Sequence, residues 1–311
     1  MTLSLRRGRV SAVRERVDGL VRLEVDGDAC VAYPSLTGPV ALGDEVLVNV
    51  QARKLELGSG GFDVLYANLT RGLELGVEEG AHVMVLPYTP LQHARYFEEE
   101  RGEPPSHLDG MPVVCCSLHS QVAPVCAGLG EGLRVAYVQV PGGALSVRLS
   151  DTVRVLRRRG LISATAAVAP CFDGDAQCVS VASALGWARG GHDVAVCAIG
   201  PGIVGTGTRF GHGGLAAAEV ANAALALGGR PVVAARVSGA DERERHRGVS
   251  HHTEAVLALV LGDVVVGEDG TGWRKACEGL PLSHMGRGPD EDPGFFEAAF
   301  AAGVAARKLL G

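Results

Sequence analysis

Residues 7 to 70 alternate apolar and polar positions in short runs: Gly8-Arg-Val-Ser-Ala-Val, Val21-Arg-Leu-Glu-Val, Ala29-Cys-Val-Ala-Tyr, Asp44-Glu-Val-Leu-Val-Asn-Val and Phe62-Asp-Val-Leu-Tyr. Asp26-Gly27-Asp28, Gly38-Pro39 and Gly43-Asp44 separate them as turn signals. Period-two runs at this spacing predict a small β-barrel or β-sandwich. After about residue 78 the pattern changes to apolar runs alternating with helical stretches, the grammar of βα units and a parallel sheet. Strands are predicted near 82–86, 113–117, 135–140, 162–168, 194–199, 232–237 and 264–266. Helices are predicted near 90–100, 121–129, 151–159, 175–189, 215–227, 250–261 and 295–310. Cys178, Val181, Ala182 and Leu185 fall at helical spacing and support the 175–189 helix. The expected fold class is α/β: a doubly wound, mostly parallel Rossmann-like sheet, preceded by the small β domain. The expected boundaries are 1–77 and 78–311.

Composition narrows the function classes. A net charge of −6 over 311 residues argues against a basic surface for nucleic acid. The barrel strands also lack the aromatic and basic interleaving that base stacking needs. A structural or oligomer-forming cap, with a homo-oligomer as one outcome, suits the barrel better. The arginines reflect a sequence in which lysine is nearly absent, so they do not by themselves mark phosphate sites. Arg6 and Arg7 are not followed by an apolar core, so no secretory signal is expected. The longest apolar run, 255–266, is broken by Gly262 and Asp263 and is too short for a membrane span. Eight cysteines occur without Cys-x-x-Cys pairing, mostly inside apolar runs, which points to a reducing, cytoplasmic setting.

The chemistry is predicted at the carboxyl ends of the strands, where ligands bind in open parallel sheets. The loops there carry the polar residues, while the loops at the opposite edge are bland. The richest is 200–214, Gly-Pro-Gly-Ile-Val-Gly-Thr-Gly-Thr-Arg-Phe-Gly-His-Gly-Gly, between a predicted strand and a predicted helix. Gly200, Gly202, Gly205, Thr206, Gly207, Thr208, Arg209 and His212 are therefore candidate ligand-binding residues, with bare backbone N–H groups holding an anion. Gly200, Gly202 and Gly205 also fit G-x-G-x-x-G, but the residues to Gly214 separate the third glycine from the helix, so NAD(P) is the weaker reading. Close backbone packing is the alternative use of the glycines.

The segment 246–254, His-Arg-Gly-Val-Ser-His-His-Thr-Glu, is the second constellation. Ser250 is the predicted N-cap, which places His251 and His252 in a first helical turn where the helix dipole disfavours imidazolium. A neutral imidazole can act as general base or metal ligand. Being adjacent, only one of the two is expected to face the site. His251, His252, His119 and Asp173 are the candidate catalytic residues. A divalent metal would collect His119, Asp173, His212 and His251 from separate loops. Asp175 is expected to cap a helix, and Cys171 to be an inert thiol.

At 200–214 and 245–253 the chain resembles a bacterial protein family known only as a domain of unknown function. That resemblance implies no activity, cofactor or catalytic residue. The reading is an enzyme for a small anionic, phosphorylated or nucleotide-like ligand, working by hydrolysis or group transfer. An NAD(P)-dependent oxidoreductase and a non-catalytic sensor or assembly protein are the alternatives.

Overall fold

The computed structural model describes residues 3–55, 61–71, 75–76 and 78–311. Two compact units make up the chain, one of Met1–Gly80 with Thr89–Leu91 and the other of Ala81–Tyr88 with Gln92–Gly311. Val77, where the expected boundary falls, lies outside the described residues.

The first unit is a closed barrel of β1 (Leu5–Val17), β2 (Leu20–Val25), β3 (Asp28–Ala32), β4 (Glu45–Asn49) and β5 (Asp63–Asn68), with single-turn helices α1 (Pro34–Thr37) and α2 (Gln51–Lys54) between strands. The order around the barrel is β1-β2-β3-β5-β4. Two Asp-Gly turns start it: Asp18-Gly19 and Asp26-Gly27 all sit at positive φ, the requirement of a two-residue hairpin turn whose twist matches its strands. The inward positions of the alternating runs, Val10, Leu23, Val25, Val46, Val48 and Leu65, form the core.

The second unit begins with an antiparallel hairpin, β6 (Val83–Val85) and β7 (His93–Arg95). It replaces the parallel strand expected at 82–86 and the helix expected at 90–100. Glu98–Glu100 form one 3-10 turn, and their carboxylates are taken up elsewhere. Glu100 accepts from the Phe97 N–H, and Glu99 accepts from the Val179 N–H and the Ser183 hydroxyl.

The sheet follows as β8 (Pro112–Cys116), α3 (Val122–Leu129), β9 (Val135–Val140), α4 (Asp151–Arg158), β10 (Ala164–Val168), β11 (Ala176–Cys178), α5 (Val181–Gly191), β12 (Val194–Ile199), α6 (Ala216–Ala226), β13 (Arg230–Ala234), the short antiparallel pair β14 (Val237–Ser238) and β15 (Gly248–Val249), α7 (His251–Leu259), β16 (Val265–Val266), α8 (Trp273–Ala276) and α9 (Pro293–Lys308). The seven strands run in the order β11-β10-β9-β12-β8-β13-β16, every neighbouring pair parallel. Such strands are buried on both faces, and β8, β9 and β12 are buried throughout. Helices α3, α4, α8 and α9 cover one face, and α5, α6 and α7 cover the other.

The expected 175–189 helix is divided. Asp175 accepts from the Thr165 N–H and hydroxyl, which pins Ala176–Cys178 to β10 as a strand, and Ser180 caps the shorter α5. On the opposite face, α3 meets α9 backbone to backbone. A Cβ on Gly128 would stand 2.3 Å from the Phe300 carbonyl oxygen, and one on Gly303 2.1 Å from that of Val125.

Connections from β8 lead through α3 to β9 on one side, and from β12 through α6 to β13 on the other. The two helices lie on opposite faces, so the crevice beyond β8 and β12 is a topological switch point, the usual ligand position in such sheets.

Candidate functional site

Four imidazoles gather at that edge. His212 ends the loop after β12, His246 closes a 3-10 turn after β14, and His251 and His252 open α7 under the Ser250 cap. The rings of His212 and His252 stack with centroids 3.7 Å apart, and His251 lies 4.5 Å from His252 and 5.7 Å from His212. His246 sits 4.7 Å from His251 and 4.9 Å from His252. One nitrogen each from His212, His251 and His252 fall within 4.8 Å of one another. Both neighbours in the sequence therefore face the cluster. Their ring planes are 60° apart, which lets successive helical residues reach one point from different angles.

All four imidazoles are held neutral. Burial is the main cause at each, lowering His246 to about 3 and moving His212, His251 and His252 down as well. For His252 the nearby His212 adds to burial; for His246 the Arg236 guanidinium does. Nε2 of His251 has no hydrogen-bond partner, and the His212 ring has only the Arg209 backbone within reach.

A buried charge network backs the imidazoles. Arg236, at the end of β13, donates from Nη1 to His252 Nδ1 at 3.1 Å and from Nη2 to Asp241 at 3.2 Å. Asp241 also accepts from Arg243 and Arg287. Its carboxyl is held well below the ordinary range, chiefly by the Arg243 hydrogen bond. Asp292 accepts from the Ser238 hydroxyl, the Gly239 N–H and Arg287. Three guanidinium groups thus meet two carboxylates and leave a positive excess beside neutral rings. A fourth, on exposed Arg245, lies 3.8 Å from where a Cβ on Gly207 would stand.

A protein-family model described as "Protein of unknown function (DUF3866)" matches residues 29–270. The chain belongs to this family. No curated protein and no solved structure matches it. The DUF3866 match takes in all four clustered histidines together with Arg236 and Asp241, while His284, Arg287 and Asp292 follow it in the chain.

Within the DUF3866 chain, His119 and Asp173 stand apart from the cluster. His119 Nδ1 donates to the Ile199 carbonyl at 3.2 Å, and Nε2 accepts from the Ser150 hydroxyl at 2.7 Å. Burial lowers this ring to about 4. It pins the ends of β8 and β12 to the cap of α4. Asp173, at φ 68°, accepts from Ser146 at 2.8 Å and faces Arg148 and Arg95 beyond β10. Cys171 is buried and its thiol is pushed up to about 12.

The glycine-rich loop is a small hairpin. Gly205 bridges to His212, and the N–H groups of Val204, Thr206, Gly211 and Gly213 donate to Gly142, Gly211, Thr208 and Val204 carbonyls. Those four amides are taken up within the loop or by Gly142. Thr206 and Thr208 bond to each other, and Arg209 lies over the Phe210 ring, all four exposed. Gly202 takes a positive φ of 75°, and Gly207 is open. Gly200 and Gly213 serve close approach: a Cβ on either would stand 2.1 Å from a carbonyl oxygen, of Ala144 or Gly142. Nothing in this arrangement packs Gly205 between helix and strand as a dinucleotide fingerprint does.

Sequence reasoning missed Arg236, Arg245 and the joining of His246 to the cluster. The one available signal was Arg236 itself, a lone charge closing the apolar run 231–235. Among the described residues no helix is long and apolar enough to cross a membrane.

Proposed function

We propose that the carboxyl edge of the sheet is the active site of an enzyme that hydrolyses, or transfers a group from, a small anionic substrate. The observation that carries this reading is the contact of neutral imidazoles with an arginine network that has more positive than negative charge. The arginines and Arg245 attract the anion. His251, with Nε2 unpartnered, takes a proton from the attacking nucleophile as general base. Imidazole N–H groups and Arg236 face the developing negative charge in a site with little water.

Isothermal titration of the full chain with inorganic phosphate, a nucleoside monophosphate and a small dicarboxylate tests the reading. Binding of at least one, weakened about tenfold or more by Arg245→Ala, supports it; loss of one charge-assisted hydrogen bond costs about that much. No binding at millimolar concentration, or binding indifferent to Arg245→Ala, sinks it. Turnover of the bound compound, lost in His251→Ala while binding persists, separates an enzyme from a sensor.

A further inference from the structure

We propose that His212, His251 and His252 form a three-imidazole site for a divalent transition metal, and that loading it breaks the hydrogen bond between Arg236 and His252. The inference rests on the active-site reading above and changes one role in it: a coordinated His251 has no lone pair for a proton, so the metal, and not His251, would activate the nucleophile.

Three observations support the site. The donor atoms already lie within 4.8 Å of one another, drawn from a hairpin and a helix that the switch point brings together. Tetrahedral ligands with metal–nitrogen bonds of about 2.0–2.1 Å stand roughly 3.3 Å apart, so loading requires the stacked rings of His212 and His252, 17° apart, to turn until their lone pairs converge. His212 is 7% exposed and has only the Arg209 backbone within reach of its ring, and Nε2 of His251 lacks a partner. Buried polar atoms are seldom left so; a metal cation accepts one lone pair from each of three rings at once, whereas a water donates to two at most. An all-imidazole set without carboxylate suits zinc, cobalt, nickel or copper and disfavours magnesium and calcium. Three protein ligands leave a fourth position for water or substrate, and such a metal supplies an activated hydroxide at neutral pH.

Arg236 sets the terms. A guanidinium only donates, so His252 Nδ1 accepts, and the neutral ring carries its proton on Nε2. Coordination through Nε2 moves that proton to Nδ1, facing a donor; coordination through Nδ1 displaces Arg236 directly. Either way the Arg236 bond and the metal exclude each other. Arg236 keeps Asp241 and is freed toward an incoming anion. Metal and anion should therefore bind with positive coupling, each raising the affinity of the other by the same factor.

The test uses the full untagged chain, stripped with chelator and titrated with Zn2+ and Co2+. One equivalent should bind, and X-ray absorption of the Zn-loaded wild type should count three imidazoles and no sulfur. His212→Ala, His251→Ala and His252→Ala should each weaken binding by more than the roughly 10–100-fold that loss of an outer partner costs, while His119→Gln and His284→Gln stay within a few-fold. Arg236→Gln should tighten binding, and an unchanged or weaker affinity overturns the exclusion. No saturable binding by folded wild type, sulfur ligation, or equal affinity in the triple alanine variant overturns the site. The absorption measurement needs no variant to fold. If Zn2+ saturates but phosphate, nucleotide and dicarboxylate do not bind, the substrate reading falls and the metal site stands. The reverse result removes the metal site alone.

Discussion

Arg236 and Asp241 form a buried ion pair, 3.2 Å apart, with side chains 3% and 2% exposed. The pair fixes the loop that carries Arg243 and His246, because Asp241 also accepts from Arg243 and Arg287. Removing the carboxylate leaves three guanidinium groups facing one another.

Asp241→Asn should therefore destabilise the protein by about 3–5 kcal/mol, the cost of leaving a buried charge uncompensated. Urea denaturation followed by circular dichroism measures it. A loss below about 1 kcal/mol would show that the network is more hydrated than its burial implies.

His119 gives the stability a defined dependence on pH. An unperturbed histidine titrates near 6.5, and burial lowers this ring to about 4. Between those values the unfolded chain binds more protons than the folded one, so stability falls as pH falls. The contribution is complete above about pH 6.5 and is lost on the way to about pH 4. The Tm difference between wild type and His119→Gln should shrink across that window, which removes the effect of the other histidines from the comparison. A difference that stays constant from pH 7 to 4 would contradict the assignment.

The glycines of the hairpin are not equivalent. Gly200→Ala or Gly213→Ala places a methyl group 2.1 Å from a carbonyl oxygen and should cost about 1–3 kcal/mol. Gly207→Ala meets nothing closer than 3.8 Å and should change Tm by little. Thermal melts of the three variants decide the matter. A cost at Gly207 equal to that at Gly200 would mean the hairpin packs differently.

Ser250 accepts from the His252 N–H and bonds His246 Nδ1 at 2.7 Å, so one hydroxyl holds both the cap and a cluster ring. Ser250→Ala should cost about 1 kcal/mol or somewhat more, the usual loss of an N-cap. Ser250→Thr, which keeps the oxygen, should recover most of it in the same denaturation experiment.

The barrel and the parallel sheet were legible because their signals are local. Asp-Gly turns need positive φ, and strands covered on both faces read as unbroken apolar runs. Element edges were harder where one residue's partner is distant. Cys178 fits a helical period with Val181, Ala182 and Leu185, but Asp175 is held by Thr165 on β10, and that contact makes a strand of the segment. Ser250 was readable as a cap because capping is decided within three residues. The convergence of His212 with His251 and His252 was partly readable, since all fall beyond strand ends. That His119 would instead be spent on Ile199 and Ser150 was not, because spacing along the chain does not say which lone pairs are already used. The same holds for the glycine loop, where the Thr206, Gly211 and Gly213 amides donate to carbonyls of the loop itself.

The backbone contact of α9 with α3 bears on when the site comes into being. Asp292, which leads into α9, is the acceptor that holds Ser238 at the end of β14 and Gly239 after it, and α9 packs with Gly303 against Val125. The loop carrying Asp241 thus depends on residues synthesised well after its own. During translation β8 and β9 join one sheet only once β12 emerges to pair with both, and the Asp292 side of the arginine network is missing until the start of α9 follows. A nascent chain halted before residue 290 would carry every clustered histidine and still lack Asp292, the acceptor that ties down Ser238, Gly239 and Arg287 behind them.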